Sequence, residues 1–165
     1  ILLAAMNPCP CGNKNHPKKD CVCRETDIQK YQRKISGPIL DRIDLYVEVP
    51  FLEYEMLRQV PSQTETSSAV RARVSLARET QKTRLKNEHI LSNSEMNTKQ
   101  LKRFAAISPE SDEVMKKAVA RFALSARSCT RILKVARTIA DLASSENIAT
   151  DHISEALQYR PQFET

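Results

Sequence analysis

Apolar residues after Leu101 recur at intervals of three and four, which is the spacing of one face of an α-helix. Ser108, Ser125 and Thr150 stand ahead of three such runs and are predicted to be helix N-caps. The middle run is the most apolar, so its helix is expected at the centre of a bundle. The predicted apolar faces comprise Val114, Ala118, Val119, Phe122, Ile132, Val135, Ala136, Ile139, Leu142, Ile153, Ala156 and Leu157. The pattern therefore predicts a helical-bundle domain over residues 95–165.

A long, charged helix is predicted ahead of this bundle. Ser67 or Ser68 is expected to cap it, and it should end near Lys86. Its apolar stripe is thin, so the helix is expected to be exposed or to pack within an assembly. That stripe consists of Val70, Val74 and Ala77. Residues 51–94, which include this helix, are predicted to be a connector or an insertion.

The first 50 residues combine one helix with two extended segments. Thr26 and Gln29 have the spacing of a capping box, which predicts a helix from Thr26 to about Ser36. The apolar segments 1–5 and 45–49 are predicted to be strands. The expected fold class is therefore mainly α, with a partial α/β core segment over residues 1–50 followed by the connector and the helical bundle.

Composition agrees with a mainly helical protein. The chain of 165 residues has two glycines and no tryptophan, which disfavours a β-sandwich. No apolar run approaches the roughly 18 residues that are needed to cross a bilayer. A soluble, cytoplasmic protein without membrane contact is therefore expected.

The basic balance of the chain is compatible with DNA as a partner. Lysine and arginine total 26 against 20 acidic residues, for a net charge of +6. The same balance is typical of solvated helical faces, so it does not decide the question. Much of the excess is expected on the long helix, at Arg71, Arg73, Arg78, Lys82, Arg84 and Lys86. No aromatic residue is interleaved there, so phosphate contact is expected rather than base stacking.

Four of the five cysteines form two closely spaced pairs in the loop 9–23. They are Cys9, Cys11, Cys21 and Cys23, with His16 between the pairs as a reserve ligand. Four thiolates can close a tetrahedral zinc site, although the C-x-C spacing is shorter than the usual C-x-x-C. A reduced, metal-free loop is the alternative, and native disulfides are disfavoured in a cytosolic protein. Cys129 lies on a predicted bundle helix and is expected to serve packing.

Two polar residues stand beside the predicted strands. Asn7 follows the segment 1–5, and Arg42 lies between Asp41 and Asp44. Arginine is suited to phosphate because its planar guanidinium donates two parallel hydrogen bonds. Taken separately, each residue has a better local explanation: a salt bridge with Asp41 or Asp44 for Arg42, and a turn for Asn7.

Three motifs in this order resemble the magnesium-chelatase-like AAA+ ATPases of the ComM type. They are AAMNP at 4–8, ISGPILDRIDL at 35–45 and LSARSCTRILKVARTIADL at 124–142. The resemblance implies that Asn7 is the sensor-1 residue and Arg42 the arginine finger. It also implies that the bundle is the lid over the nucleotide, with Arg127 as sensor 2. Arg131 and Arg137 are the alternates, and Arg131 is expected to help bind the nucleotide.

The resemblance also implies ATP and Mg²⁺ as cofactors and neighbouring identical subunits in a ring, expected to be a hexamer. DNA branch migration or helicase activity is the expected work, and metal insertion into a porphyrin is the alternative. A non-enzymatic, basic, zinc-stapled interaction module is the second class of function.

The chain by itself is not expected to hydrolyse ATP. A P-loop needs the glycines of G-x-x-x-x-G-K-[ST], and the glycines here are Gly12 and Gly37. No apolar strand that ends in paired acids precedes Asn7, so a Walker B pair is missing as well. The chain is therefore expected to be a piece of a longer ATPase.

Overall fold

The computed structural model describes residues 1–54 and 65–160, and within these ranges the regular structure is helical. The helices are α1 Glu25–Gln32, α2 Gly37–Leu40, α3 Ser67–Leu85, α4 Thr98–Phe104, α5 Pro109–Phe122, α6 Ala126–Leu142 and α7 Thr150–Gln158, with 3₁₀ turns at Lys86–Glu88 and Asn93–Glu95. None of the described helices is both long and apolar enough to span a membrane. Contacts group the described residues into two units: 1–43 with 48–54, and 44–47 with 65–160.

The second unit is a helical bundle in which α6 is the central helix. Helix α6 packs against α7, α3 and α4, and α5 packs against α7. The buried apolar cluster comprises Leu85, Met96, Leu101, Ala105, Met115, Ile132, Ala136, Ala140, Ile148, Ile153 and Ala156. The expectation that the middle apolar run forms the centre of a bundle is confirmed.

Serine side chains begin two of the bundle helices as the sequence predicts. Ser108 Oγ accepts a hydrogen bond from the Ser111 N–H at 3.3 Å, and Ser125 Oγ accepts one from the Ser128 N–H at 3.1 Å. These bonds satisfy backbone donors that have no partner within the helix.

The predicted cap at Thr150 is wrong by one residue. Thr150 is the first residue of α7 and Ala149 is its N-cap. The Nδ1 atom of His152 accepts a hydrogen bond from the Ala149 N–H at 3.0 Å. The Thr150 hydroxyl lies 3.2 Å from that of Ser111, so it serves contact between α5 and α7.

Helix α3 is buried along its C-terminal half. Its cap is Thr66 rather than Ser67 or Ser68, because Thr66 Oγ1 accepts a hydrogen bond from the Ala69 N–H at 3.2 Å. Buried positions on this helix are Ala77, Gln81 and Leu85, whereas Val70 and Val74 are exposed. The prediction of an exposed helix therefore holds for the first half and is wrong for the second. The structure groups α3 with the helices of the predicted lid.

A buried polar network joins α3 to α6 around Asp141. Arg84 Nη2 donates to Asp141 Oδ2 at 2.6 Å, and Arg137 Nε donates to Asp141 Oδ1 at 3.1 Å. Asn93 Nδ2 also donates to Asp141 Oδ2, at 2.8 Å. Burial lowers the pKa of the Arg137 guanidinium, and the charge of Asp141 offsets part of this effect. The two guanidinium groups and the Asn93 amide together satisfy both oxygens of the buried carboxylate.

In the first unit, α1 is shorter than predicted. It spans Glu25–Gln32 and its N-cap is Arg24, whose side chain makes no capping hydrogen bond, so the capping box at Thr26 is absent. After Arg33 the hydrogen bonds change to three-residue spacing, with the Lys34 N–H donating to the Tyr31 carbonyl at 3.2 Å. The predicted helical stretch up to Ser36 is therefore wrong at its end.

Neither predicted strand, 1–5 or 45–49, is a strand in the described structure. The isolated parallel bridge between Ile107 and Ile148 is the β pairing that the described residues contain. A strand satisfies its backbone groups only through a neighbouring strand. Tyr46 instead donates its N–H to the Tyr159 carbonyl at 2.9 Å.

Candidate functional site

The first candidate site is the group of four cysteine sulfurs in the first unit. Sγ of Cys9 lies 3.4 Å from that of Cys11 and 3.6 Å from that of Cys21, and Cys11 Sγ lies 3.6 Å from Cys21 Sγ. With Cys23 included, all four sulfur atoms lie within 4.8 Å of one another. The structure thus brings together all four residues of the predicted metal site, as free thiols.

Backbone N–H groups and neighbouring sulfurs set the acidity of these thiols. The backbone N–H groups of Asn13 and Val22 lower the pKa of Cys11 to about 6. The Cys11 N–H lowers that of Cys23, but burial and the three other thiols outweigh it and raise the pKa of Cys23 to about 12. Four adjacent thiols without a cation cannot all ionise, because each new negative charge opposes the next.

His16 lies outside the four-sulfur group. Its Nδ1 atom accepts the Lys18 N–H at 3.0 Å, and its ring centroid lies 4.4 Å from that of Phe51. The reserve ligand His16 therefore contacts Lys18 and Phe51 rather than the sulfurs.

Asn7 precedes the cysteine turn and is exposed. The turn closes through a hydrogen bond from the Gly12 N–H to the Cys9 carbonyl at 3.0 Å. Gly12 has a φ of +79°, which favours glycine, and a Cβ at this position would stand 3.6 Å from Asn7 Nδ2. The side chain of Asn7 therefore lies against the turn that presents Cys9 and Cys11.

Arg42 is an exposed cation directly after α2. Its Nη1 atom donates to the Pro38 carbonyl at 2.9 Å, so the side chain folds back over α2. Asp44, one of the two acids considered as its partner, forms an ion pair with Arg131. A single neutral carbonyl is a weak restraint, and the guanidinium retains further donors for an anion.

The second candidate site is a cleft of about 740 Å³ in the second unit, along α6. One wall is apolar and includes Val135, Ile139 and Leu142. Its residues are Asp44, Leu45, Ser94, Ala126, Arg127, Thr130, Arg131, Lys134, Val135, Thr138, Ile139, Leu142, Glu155 and Tyr159. A cleft of this size suits a small organic ligand.

Three cations from α6 line this cleft. Arg127 is exposed and has no ion-pair partner among residues 1–54 and 65–160, whereas Arg131 pairs with Asp44. Burial and the charge of Arg131 lower the pKa of the Lys134 ammonium, which donates to the Ser94 carbonyl at 2.7 Å. The structure places Arg127 and Arg131 on one cleft, and sequence reasoning did not single out Lys134. Its position one turn after Arg131 was the available signal.

Arg137, the other alternate for sensor 2, is buried with 3% of its surface exposed. Besides Asp141, it donates to the carbonyls of Glu146 at 2.8 Å and Ser145 at 2.7 Å. These contacts engage the donors of Arg137 inside the protein, and its role as an alternate sensor stays a prediction. Cys129 packs partly buried against the core, as the sequence predicts.

Comparison with known families decides what kind of protein carries these sites. Residues 64–160 match the family described as magnesium chelatase, subunit ChlI C-terminal, and residues 1–57 match magnesium chelatase, subunit ChlI. The first match alone covers more than half of the chain. The chain belongs to the magnesium chelatase ChlI family. This ChlI-family membership confirms the resemblance to magnesium-chelatase-like AAA+ ATPases and agrees with a mainly helical lid.

Relatives of this ChlI-family chain include the competence protein ComM of Haemophilus influenzae, which is 38% identical over 165 residues. The uncharacterized protein YifB of Escherichia coli is 35% identical over 159 residues. Each alignment covers 96% of this chain and 30% of the relative. The chain therefore spans less than a third of the length of these curated relatives.

Proposed function

We propose that this chain is the part of a ring-forming AAA+ ATPase that supplies sensor-1, arginine-finger and sensor-2 residues to ATP hydrolysis. Asn7 orients the attacking water, Arg42 reaches the nucleotide of a neighbouring subunit, and Arg127 contacts the phosphates from the lid. The observation that carries the proposal is the α6 cleft, where an apolar wall ends in the exposed cation Arg127.

The chemistry of this cleft fits a nucleotide. Val135, Ile139 and Leu142 offer an apolar surface to a base, and the Arg127 and Arg131 guanidinium groups offer paired donors to phosphate oxygens. ATP and Mg²⁺ supply the transferable phosphoryl group and its counter-charge when they are bound. Sensor 2 lies on the central helix of the bundle, so a change at the phosphates is passed to the packed helices as a rigid movement.

A titration of this chain with ATP tests whether tight nucleotide binding requires a P-loop in addition to the residues of this chain. The backbone donors and lysine of a P-loop provide most phosphate recognition. We therefore expect binding weaker than micromolar and no hydrolysis, measured by calorimetry and phosphate release. Micromolar affinity for the chain alone would contradict the assignment of phosphate recognition to a missing segment.

Arg42→Ala in the full-length protein tests the arginine finger. Loss of a finger that acts between subunits is expected to lower the turnover rate by about 10³-fold or more while leaving nucleotide binding nearly intact. Mixing this variant with a P-loop variant should restore part of the activity, because some interfaces then contain both intact parts. Arg33→Ala, an exposed arginine after α1, is the matched control. Absence of rescue at every mixing ratio would refute action between subunits.

Arg127→Ala tests the lid assignment separately. A cation that contacts phosphate only in the closed lid contributes about 1.5–3 kcal/mol through charged hydrogen bonds. The full-length variant should lose turnover by roughly 10-fold to 100-fold. Lys117→Ala removes an exposed cation from α5 and should leave turnover unchanged. Equal losses in both variants would argue against a specific role for Arg127.

We further propose that the motor acts on DNA, because one face of α3 presents exposed cations. Arg71, Arg78 and Lys82 are separated by seven and four residues, so they lie on one stripe of the helix, and Lys86 extends it. Two other basic residues of this helix are committed elsewhere, since Arg73 pairs with Glu65 and Arg84 with Asp141. Within the stripe, Lys82 pairs with Glu79 at 3.5 Å. The steps of about 6 Å and about 10.5 Å along the helix axis are close to two and three times the roughly 3.4 Å between successive phosphates along the axis of one strand.

Charge reversal on this stripe tests the DNA proposal. The variant Arg71→Glu/Arg78→Glu should weaken DNA binding and reduce the slope of log K against log salt by roughly two. Arg73→Glu/Arg121→Glu makes the same change in net charge away from the stripe and is the control. Equal weakening in both variants would show a general charge effect and remove the assignment of DNA to this face.

A further inference from the structure

We propose that Cys9, Cys11, Cys21 and Cys23 together bind one Zn²⁺ ion, and that this metal centre fixes the turn that carries Asn7. The proposal concerns only the first unit and stands on sulfur geometry. Only the consequence of metal binding for catalysis rests on the proposed function.

The distances between sulfurs match those of a tetrahedral zinc site. Zn–S bonds of about 2.3 Å in a regular tetrahedron separate the sulfurs by about 3.8 Å. The measured separations are 3.4 Å for Cys9 and Cys11 and 3.6 Å for each of them to Cys21. All four sulfurs lie within 4.8 Å of one another. Small outward movements of the sulfurs therefore place a metal at bonding distance from each ligand.

Backbone N–H groups surround the sulfurs as they do in thiolate metal sites. The Lys14 N–H donates to Cys9 Sγ at 3.3 Å, and the Cys11 N–H donates to Cys23 Sγ at 3.4 Å. Such bonds stabilise a ligand that carries negative charge. Four thiolates and Zn²⁺ have a net charge of −2, and basic side chains of the same segment offset it. These are Lys14, Lys19 and Arg24, whereas Lys18 pairs with Glu53 at 2.6 Å.

Within residues 1–43 and 48–54, the described part of the first unit, there is no apolar core that would hold this loop without a metal. Among these residues, the buried apolar ones are Cys9 and Ile28. So little apolar burial does not offset the conformational entropy that is lost when the loop becomes ordered. The free energy of metal binding can offset it instead. In the reducing compartment expected for this protein, disulfides are disfavoured. Zinc is consistent with a site made only of thiolates and without redox chemistry.

The metal would act on Asn7 through the turn that follows it. Cys9 lies two residues after Asn7, and the Asn7 amide lies against Gly12 at the end of the turn. Gln32 Nε2 of α1 donates to the Pro8 carbonyl at 3.4 Å, and Cys21 and Cys23 lead directly into α1. One metal ion thus links the turn after Asn7, through Cys9 and Cys11, to the segment before α1, through Cys21 and Cys23. The position of Asn7 is therefore fixed relative to α1.

Elemental analysis of the purified chain tests metal binding directly. We expect one zinc per chain without added metal, and no iron. Replacement by Co²⁺ should give the visible absorption and intense near-ultraviolet sulfur-to-cobalt bands of a tetrahedral thiolate site. Zinc content near zero with four titratable thiols in the folded chain would overturn the proposal, and so would stoichiometric iron.

A pair of cysteine variants tests the ligand set. Cys21→Ser should lower zinc content to below half and weaken Co²⁺ binding by at least 10-fold. Cys129→Ser is the matched control and should retain one zinc per chain, since Cys129 lies on α6 outside the cluster. The helical circular dichroism of both variants should be unchanged, which shows that the bundle is folded. Full zinc content in Cys21→Ser would refute the assignment.

The effect on Asn7 has its own readout. Removing zinc with a chelator should speed amide exchange over residues 6–24 by at least 10-fold and leave α6 unchanged. Unchanged exchange at residues 6–12 would refute the link to Asn7 even if zinc is present. In the full-length ATPase, Cys21→Ser and Asn7→Ala should be non-additive in turnover. Additive losses of turnover would also refute the link between the metal and Asn7. Zinc content and amide exchange test metal binding whether or not the protein is an ATPase.

Discussion

The two units of the chain are ordered by different means. The second unit buries a continuous apolar cluster around α6 and pairs its buried charges at Asp141. The first unit buries Cys9 and Ile28 and gathers four sulfurs in one loop. A helical bundle with its own core is expected to fold independently, whereas the first unit needs a metal or a neighbouring sheet. Of the residues proposed for catalysis, Asn7 and Arg42 lie in the first unit and Arg127 lies in the second.

Amide exchange provides the most direct test of this difference, and the expected effect is the largest. Buried amides of α6 should exchange only through global unfolding, while segment 1–5 of the first unit should exchange through local opening. The free energies of opening should differ by several kcal/mol. Exchange measured by mass spectrometry on the metal-bound chain checks this. Equal, strong protection in both regions would show that the first unit has a source of stability beyond its sulfur cluster.

Asp141→Asn should produce the next largest loss of stability, and this loss should be limited to the bundle. The change leaves Arg84 and Arg137 without their buried counter-charge. Breaking a buried pair in this way costs about 3–5 kcal/mol. Urea unfolding followed by helical circular dichroism measures the loss, with the exposed Asp151→Asn as control. A loss below about 1 kcal/mol would mean that water reaches the network in solution.

Ile132→Ala tests the apolar core and should be somewhat less costly. Ile132 is 1% exposed on the central helix, so truncation leaves a cavity and should cost about 2–5 kcal/mol. Ile39→Ala, which is 50% exposed in the first unit, should cost far less. Unfolding by urea with the same probe compares them. Similar costs at both positions would indicate that Ile39 is buried in solution.

Sequence predicts the local features of the bundle because their causes are local. Ser108 and Ser125 begin helices since their hydroxyl groups lie three residues from the N–H groups they cap. Helical periodicity likewise identified Ile132 and Ala136 as core positions. The role of Asp141 was not predicted, because its partner Arg84 is 57 residues earlier in the chain. Pairing over such a distance leaves no periodic signal.

The sites show the same division between local and distant causes. The cysteine pairs were recognisable from spacing, and the structure brings their sulfurs together. Metal binding and the roles of Asn7, Arg42 and Arg127 stay predictions. The predicted strands were wrong for the described chain because an apolar segment becomes a strand only beside another one. Sequence also did not reveal the cleft, whose lining joins residues from 44–47, α6 and α7.

Ser125→Ala should give the smallest effect and shows how local stability bears on the candidate site. Loss of the bond from the Ser128 N–H to Ser125 Oγ should cost about 1 kcal/mol. Because Ser125 stands directly before α6, fraying should reach Arg127 and widen the orientations of its side chain. Ser125→Asp retains a capping oxygen and is the matched control. Thermal unfolding and exchange at residues 126–129 measure both effects, and equal destabilisation by the two variants would show that the hydroxyl does not act as a cap.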